Sequence, residues 1–223
     1  MDTANKGGSH LIGAQVAAMR DDGEAIALDD ATIGFFCKYA RGRSVLDVGC
    51  VNHNPENYRS KFWVHKALKS VASRCLGMDL YAPGVAYLRE RGYDVVEGNA
   101  EAFDLGETFD IVVAGEIIEH LGNVSGFLQS AKRHLKPGGT LLLSTPNPWY
   151  WRFVAKAFIS PDVHPNPEHV SWFCVATLRT LLVRHGYEIL ETTLGSRYRR
   201  DLLMPLPQGV KHTTIHLAAR PVG

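Results

Sequence analysis

Short apolar runs that each close on a single polar side chain recur along this chain, and that recurrence constrains its fold more than any other feature. Ser44 to Cys50 (SVLDVGC) sets Val45, Leu46 and Val48 around Asp47 and leads into Gly49. Cys75 to Leu80 (CLGMDL) ends around Asp79, and Val95 to Ala100 (VVEGNA) around Asn99. Phe109 to Leu121 (FDIVVAGEIIEHL) has its polar tip at Glu116. Leu135 to Asn147 (LKPGGTLLLSTPN) turns through Pro137, Gly138 and Gly139 into a fifth run. Runs of this length read as buried parallel strands. A carboxylate at the end of such a strand is costly unless something polar meets it, and open α/β sheets bind ligands just beyond the carboxyl ends of their strands. Asp47 is therefore expected to face a crevice, with Gly49 letting backbone and ligand approach closely. Asp79 is placed to accept both hydroxyls of a ribose, and Asn99 can pair with an adenine edge.

Helical segments alternate with these runs. Leu28 to Gly42 predicts a helix capped by Asp29 or Asp30 and ended by Gly42, with a shorter one over His10 to Arg20. Tyr58 to Ser73 predicts a helix with Phe62, Leu68 and Val71 apolar, and Val85 to Arg91 one entered through Pro83 and Gly84. The segment between Leu121 and Leu135 turns Phe127, Leu128 and Ala131 to the sheet, and Val175 to His185 carries Leu178, Leu181 and Leu182. GYEILETTL supplies a sixth strand and Thr213 to Pro221 a seventh that alternates well enough to lie near an edge. The fold expected is α/β: a doubly wound, mostly parallel seven-stranded sheet.

Taken together, order and spacing of the five tips resemble the class I S-adenosylmethionine-dependent methyltransferases, in the small-molecule branch of quinone, sugar and natural-product methylases. The resemblance spans roughly Arg43 to Leu194, and LKPGG following an EHL segment is its most telling part. It implies a Rossmann-like methyltransferase fold with S-adenosylmethionine as cofactor and S-adenosylhomocysteine as product. It places Asp47 and Gly49, with Cys50, by the methionine half. Asp79 takes the ribose, beside Leu80; Asn99 and Ala100 border the adenine, and Glu116 completes the set. One departure stands out. The family's first loop carries glycines at alternate positions, whereas here Gly49 is followed by CVNHNPENYRSKFWVHKAL, and 32 residues separate Asp47 from Asp79 against about 20 in the dinucleotide fingerprint. Either an extra turn between Cys50 and Ser60 wraps the cofactor with Asn52 or His53 replacing glycine, or the loop is remodelled and binding is weakened.

With 223 residues, the chain is expected to be one methyltransferase domain. Residues 1–42 form an arm and cap helices, 43–146 the cofactor-binding core, 147–174 a substrate lid and 175–223 a C-terminal helix and strands. Lys and Arg total 24 against 23 acidic residues, a net charge of +1 that gives no electrostatic reason to bind nucleic acid. Cys37, Cys50, Cys75 and Cys174 form no Cys-x-x-Cys pair, so no metal site is expected and free thiols fit a reducing cytoplasm. The N-terminal stretch lacks a basic leader, and no window reaches the ~18 apolar residues of a membrane span.

For an acceptor hydroxyl, a proton has to leave, and histidine is the usual base. His120, after the fourth tip, is either that base or a loop-structuring residue. His164, Glu168 and His169, in DVHPNPEHVSWF, form a second set that borders the acceptor or pins the lid by hydrogen bonds. His120 and His169 are the catalytic candidates. Trp149, Trp151 and Trp172 either stack on a sugar or aromatic ring or pack in the core. The Arg197 to Arg200 run either meets an acceptor anion or is solvated surface. The activity expected is O-methylation of a small molecule: a sugar, glycan precursor or secondary metabolite. Methylation of a quinone or lipid-like ring is the alternative, and a non-catalytic binding protein the rival from another class.

Overall fold

Alternation within the strands sends side chains to both faces of one sheet. The computed structural model describes residues 27, 30–163, 166–195, 198, 201 and 203–222. The predicted helix over His10 to Arg20, together with Asp29, His164, Arg197, Arg199 and Arg200, lies outside them. The described chain runs α1 (Ala31–Ala40), β1 (Ser44–Val48), α2 (Val64–Val71), β2 (Arg74–Asp79), α3 (Ala82–Arg89), β3 (Val95–Glu97), β4 (Phe109–Gly115), α4 (Val124–Arg133), β5 (Leu135–Pro146), α5 (Trp151–Ala157), α6 (Val175–Arg184), β6 (Tyr187–Gly195), α7 (Gln208–Lys211) and β7 (Thr214–Pro221). The sheet has seven strands in the order β3-β2-β1-β4-β5-β7-β6. β7, inserted between β5 and β6, runs opposite to the other six strands.

One face collects Leu46, Val48, Val112, Ala114, Leu141 and Leu143 beneath α4 and α6. The other collects Val45, Ile111, Val113, Leu142 and Ala218 beneath α1 and α2. Both faces are buried, as near-continuous apolar strands require. Asp30 caps α1 by accepting from the Thr32 and Ile33 N–H groups at 2.9 and 3.1 Å. Among the described residues no helix is long and apolar enough to cross a membrane.

The predicted helix over Tyr58 to Ser73 is two pieces. A 3-10 turn covers Pro55–Arg59, Ser60 to Trp63 are non-helical, and α2 begins at Val64. Trp63 causes the break: it is buried, and its indole N–H donates to the Cys50 carbonyl at 2.7 Å. Phe62, expected inside, is 39% exposed. Likewise α3 starts at Ala82 rather than Val85, so Pro83 lies in its first turn, where its missing N–H costs nothing.

His216 in β7 provides a pH test of the sheet. It is buried, makes a 2.9 Å hydrogen bond with Thr32 Oγ1 and stacks on Phe35 at 5.3 Å. Burial pushes its pKa down to about 4, with Asp30 opposing and His212 reinforcing the shift. The folded state thus holds His216 neutral while the unfolded chain takes a proton below about pH 6.5. Its contribution is complete above that value and is lost as pH falls towards 4. Between pH 7.5 and pH 4.5 urea denaturation should show wild type losing about 2.5 kcal/mol more than His216→Gln. Equal losses in the two proteins would remove His216 from the acid response.

Candidate functional site

Five adjacent parallel strands, β3, β2, β1, β4 and β5, end along one edge, and the loops that leave them build the site. Gly49 leaves β1 with φ +82 and donates to the Met78 carbonyl at 2.7 Å, tying the loop to β2. A side chain there would run into Ile117 Cδ1, so the position requires glycine for both space and conformation. Asn52 and His53 follow with φ 53 and 60. They adopt the left-handed backbone that glycines would otherwise supply, a conformation Asn and His tolerate better than most residues. The extra turn expected after Cys50 is the 3-10 segment Pro55–Arg59, capped by Asn54.

Asp79 ends β2 and organises this loop. Its Oδ2 accepts from the Val51 N–H at 2.9 Å and its Oδ1 from the Tyr81 N–H at 3.0 Å. Each carboxylate oxygen retains a lone pair. Leu80, next in sequence, is 67% exposed. Asn99 sits beyond β3, where its Oδ1 accepts from the Glu101 N–H at 2.9 Å, and Ala100 packs against the main core cluster.

Asp47 takes a different course from the one expected. In β1 it has the same parity as Val45, so its side chain turns to the face covered by α2. There it is buried, and Oδ2 meets His65 Nδ1 at 3.0 Å. Burial raises its pKa, while the hydrogen bond and charge of His65 oppose that shift. Cys50 is also turned inward: it is buried, burial pushes its thiol pKa up, and a side chain on Gly77 would come within 2.7 Å of its sulfur. Both side chains are thus turned into the protein interior.

The tip of β4 gathers the titratable groups. Glu116 has φ 53, and its N–H donates to the Ser144 carbonyl at 3.0 Å and hydroxyl at 3.1 Å. A 3-10 turn, Ile118–His120, then brings His120 between two other imidazoles. His169, from the segment after β5, lies edge-on to it at 4.6 Å, and His53, from the first loop, lies 5.5 Å away. Burial, then the His53 charge, holds the His120 pKa below its usual value. His53 Nδ1 is 3.3 Å from Glu168 Oε2, joining the first loop to the segment that carries His169.

Glu119 lies behind the imidazoles and is 1% exposed. Thr145 donates to its Oε2 at 3.0 Å, while Oε1 has no hydrogen-bond partner and stands 3.9 Å from His169 Nε2. Burial, reinforced by Glu116, pushes its pKa up to about 8. At neutral pH it is a protonated acid facing an imidazole, not half of an ion pair. Ligand atoms of Glu119, His120 and His169 lie within 4.8 Å of one another, a looser set than the roughly 3.3 Å spacing that ~2.0 Å zinc bonds give in a tetrahedral site.

A methyltransferase domain family matches residues 24–192. The chain belongs to that family. This methyltransferase is 35% identical over 159 residues to a probable S-adenosylmethionine-dependent methyltransferase of Mycolicibacterium smegmatis, covering 69% of the chain and 55% of the relative. It is 28% identical over 127 residues to a ubiquinone biosynthesis O-methyltransferase of a Bradyrhizobium strain, covering 54% and 46% of the two. The chain therefore spans about half the length of these relatives. Among solved structures, magnesium protoporphyrin IX methyltransferase from Synechocystis, with bound S-adenosylhomocysteine, superposes with a TM-score of 0.61 at 16% identity, covering 86% of this chain and 82% of that one. A glycopeptide N-methyltransferase complexed with S-adenosylmethionine gives 0.60 at 17% identity over 95% and 97%. These likenesses show the class I fold.

The residues present suit the family's cofactor. Asp79 presents two carboxylate oxygens at the end of β2, each with a lone pair left after the loop N–H groups are satisfied, and Gly49 turns the β1 loop beside it with φ +82. Sequence reasoning missed Glu119 and the placement of His53 beside His120. Both depend on partners distant in the chain: Thr145 and His169 for Glu119, Glu168 and His120 for His53.

Proposed function

We propose that this methyltransferase transfers a methyl group from S-adenosylmethionine to a hydroxyl of a small molecule. A sugar, a glycan precursor or another secondary metabolite is the acceptor class, and a quinone or lipid-like ring is the second reading. The observation that carries the proposal is His120, held below its ordinary pKa and set edge-on to His169 beside the Gly49 and Asp79 loops. When bound, the cofactor supplies an electrophilic methyl on a sulfonium. Asp79 accepts the ribose hydroxyls; backbone of Gly49 and Cys50 borders the methionine half; Asn99 and Ala100 border the adenine. Glu116 shapes the wall at the β4 tip through its left-handed backbone.

His120 accepts the proton that leaves the acceptor oxygen, at the imidazole nitrogen not engaged with the Glu168 backbone. A neutral imidazole is the form that can do so, and the lowered pKa keeps it neutral at pH 7. His169 fixes the ring edge-on, and protonated Glu119 supplies a hydrogen-bond donor behind it. Alignment can lower the barrier by about 7–11 kcal/mol, whereas a base contributes about 10²–10⁴ in rate; most of the catalysis is positioning. The exposed Trp149 favours the apolar-ring reading.

Calorimetric titration with S-adenosylmethionine, followed by transfer of labelled methyl to hydroxylated and aminated acceptors, tests this. Micromolar binding with label appearing on oxygen is expected. Binding absent at millimolar cofactor would favour the non-catalytic rival, and label on nitrogen alone would remove the hydroxyl.

A further inference from the structure

Past β5 from the imidazole cluster, the same sheet edge opens into a cleft of about 610 Å³, within the 300–1,000 Å³ usual for small-molecule sites. Its walls include Trp149, Val175 and Ala176 at the start of α6, and Leu194 near the end of β6. The cleft adjoins the cluster along two paths. Thr145, which donates to Glu119, is followed two residues later by Asn147 in the cleft wall, a step of about 7 Å in an extended chain. His169 precedes Cys174, another wall residue, by five residues, at most about 18 Å when fully extended. One elongated molecule can therefore touch both places.

The chemistry of the walls selects what that molecule is. Asn147 has both amide hydrogens engaged, donating to the Gly209 and His212 carbonyls at 2.8 and 2.9 Å, and its Oδ1, which accepts from the Trp149 N–H at 3.1 Å, keeps one lone pair. Thr180 and Arg179 are the remaining side chains with strong polar groups. Trp149, Ala176, Arg179 and Thr180 are exposed, so the cleft is open to solvent on that side, and its apolar walls favour the ring of the second reading over a polyhydroxylated body. Arg179 has no ion pair or hydrogen bond among the described residues, whereas Arg152 on α5 is 3.8 Å from Asp201. A guanidinium beside apolar walls matches an acid carried on an apolar body.

We propose that this cleft holds the body of the acceptor and that Arg179 binds an acidic group on it. The substrate is then an amphipathic acid: an apolar, ring-bearing body with an anionic group at one end and the methylated hydroxyl at the other. Trp149 stacks on the ring, and Val175 and Leu194 cover its edges. This assignment rests on the imidazole cluster being the site of methyl transfer.

Two fluorescent probes with the same fused rings, 8-anilinonaphthalene-1-sulfonate and uncharged N-phenyl-1-naphthylamine, separate the contributions. Each is titrated into wild type, Arg179→Gln and Trp149→Ala, with S-adenosylhomocysteine titrated calorimetrically into the same proteins. Arg179→Gln should weaken the sulfonate about tenfold and leave the uncharged probe within about twofold. Trp149→Ala should weaken both probes about fivefold, and S-adenosylhomocysteine should bind all three proteins alike. If Arg179→Gln shifts the two probes equally, or shifts neither, the acid-binding role of Arg179 is overturned. A wild type that binds the sulfonate in an Arg179-dependent way but not S-adenosylhomocysteine would overturn methyl transfer here while upholding the chemistry of the cleft.

Discussion

Asp79→Ala should bind S-adenosylhomocysteine about 100-fold more weakly than wild type. A hydrogen bond to a charged group contributes about 1.5–3 kcal/mol, and tenfold in affinity corresponds to about 1.4 kcal/mol. Two ribose hydroxyls on one carboxylate therefore account for roughly 3 kcal/mol or more. The same carboxylate also holds the Val51 and Tyr81 N–H groups at 2.9 and 3.0 Å. Alanine releases the loop that contains Asn52 and His53 as well as the ribose. Asp79→Asn separates the two effects, because its single oxygen can satisfy only one of these N–H groups; a loss of about tenfold is expected for it. Isothermal titration on all three proteins gives the comparison. A loss below threefold in Asp79→Ala would place the ribose elsewhere.

The strand tips were legible because each is a local pattern, an apolar run closing on a polar residue, and local pattern is what sequence displays. Asp79 and Asn99 are found at the ends of their strands on that basis. Asp47 shows the limit. The run announces a carboxylate near the end of β1, but parity decides which way it turns, and the partner that accepts it, His65, lies on α2. Once the strand is placed, Val45 on the α2 face implies Asp47 on the same face. Trp63 and Phe62 make a similar case. Both are bulky aromatics one residue apart, and the indole's hydrogen bond to Cys50 selects Trp63 for burial and ends the 3-10 turn before α2 starts. Glu119 was hidden for another reason. Its burial follows from Thr145 and from the returning segment that carries His169, whose Val170 N–H donates to the Glu119 carbonyl at 2.9 Å. No window of sequence contains those contacts.

With His120 as the proposed base, His120→Ala should lower the turnover number about 10²–10⁴-fold at pH 7.5 while changing S-adenosylhomocysteine affinity less than about twofold. The pH profile carries the decisive information. Burial and the His53 charge hold His120 below its ordinary pKa, against the opposing effects of Glu168 and Glu116. On that proposal the active form is the neutral ring. Turnover should therefore fall as pH drops through a midpoint below about 6.5, and in His120→Ala that limb should disappear. Glu119→Gln is the control for the group behind it. Glu119 is protonated below about pH 8, and glutamine preserves a neutral side chain that can still accept from Thr145. Its profile should follow wild type up to about pH 8 and diverge only above, where wild type alone gains a buried negative charge next to His169. His169→Ala, which removes the edge-on ring at 4.6 Å, should keep the acidic limb and lower turnover by about tenfold through loss of alignment. If His120→Ala kept both the limb and the turnover and lost only cofactor affinity, His120 would be a cofactor contact, and the proton would have to leave by another route.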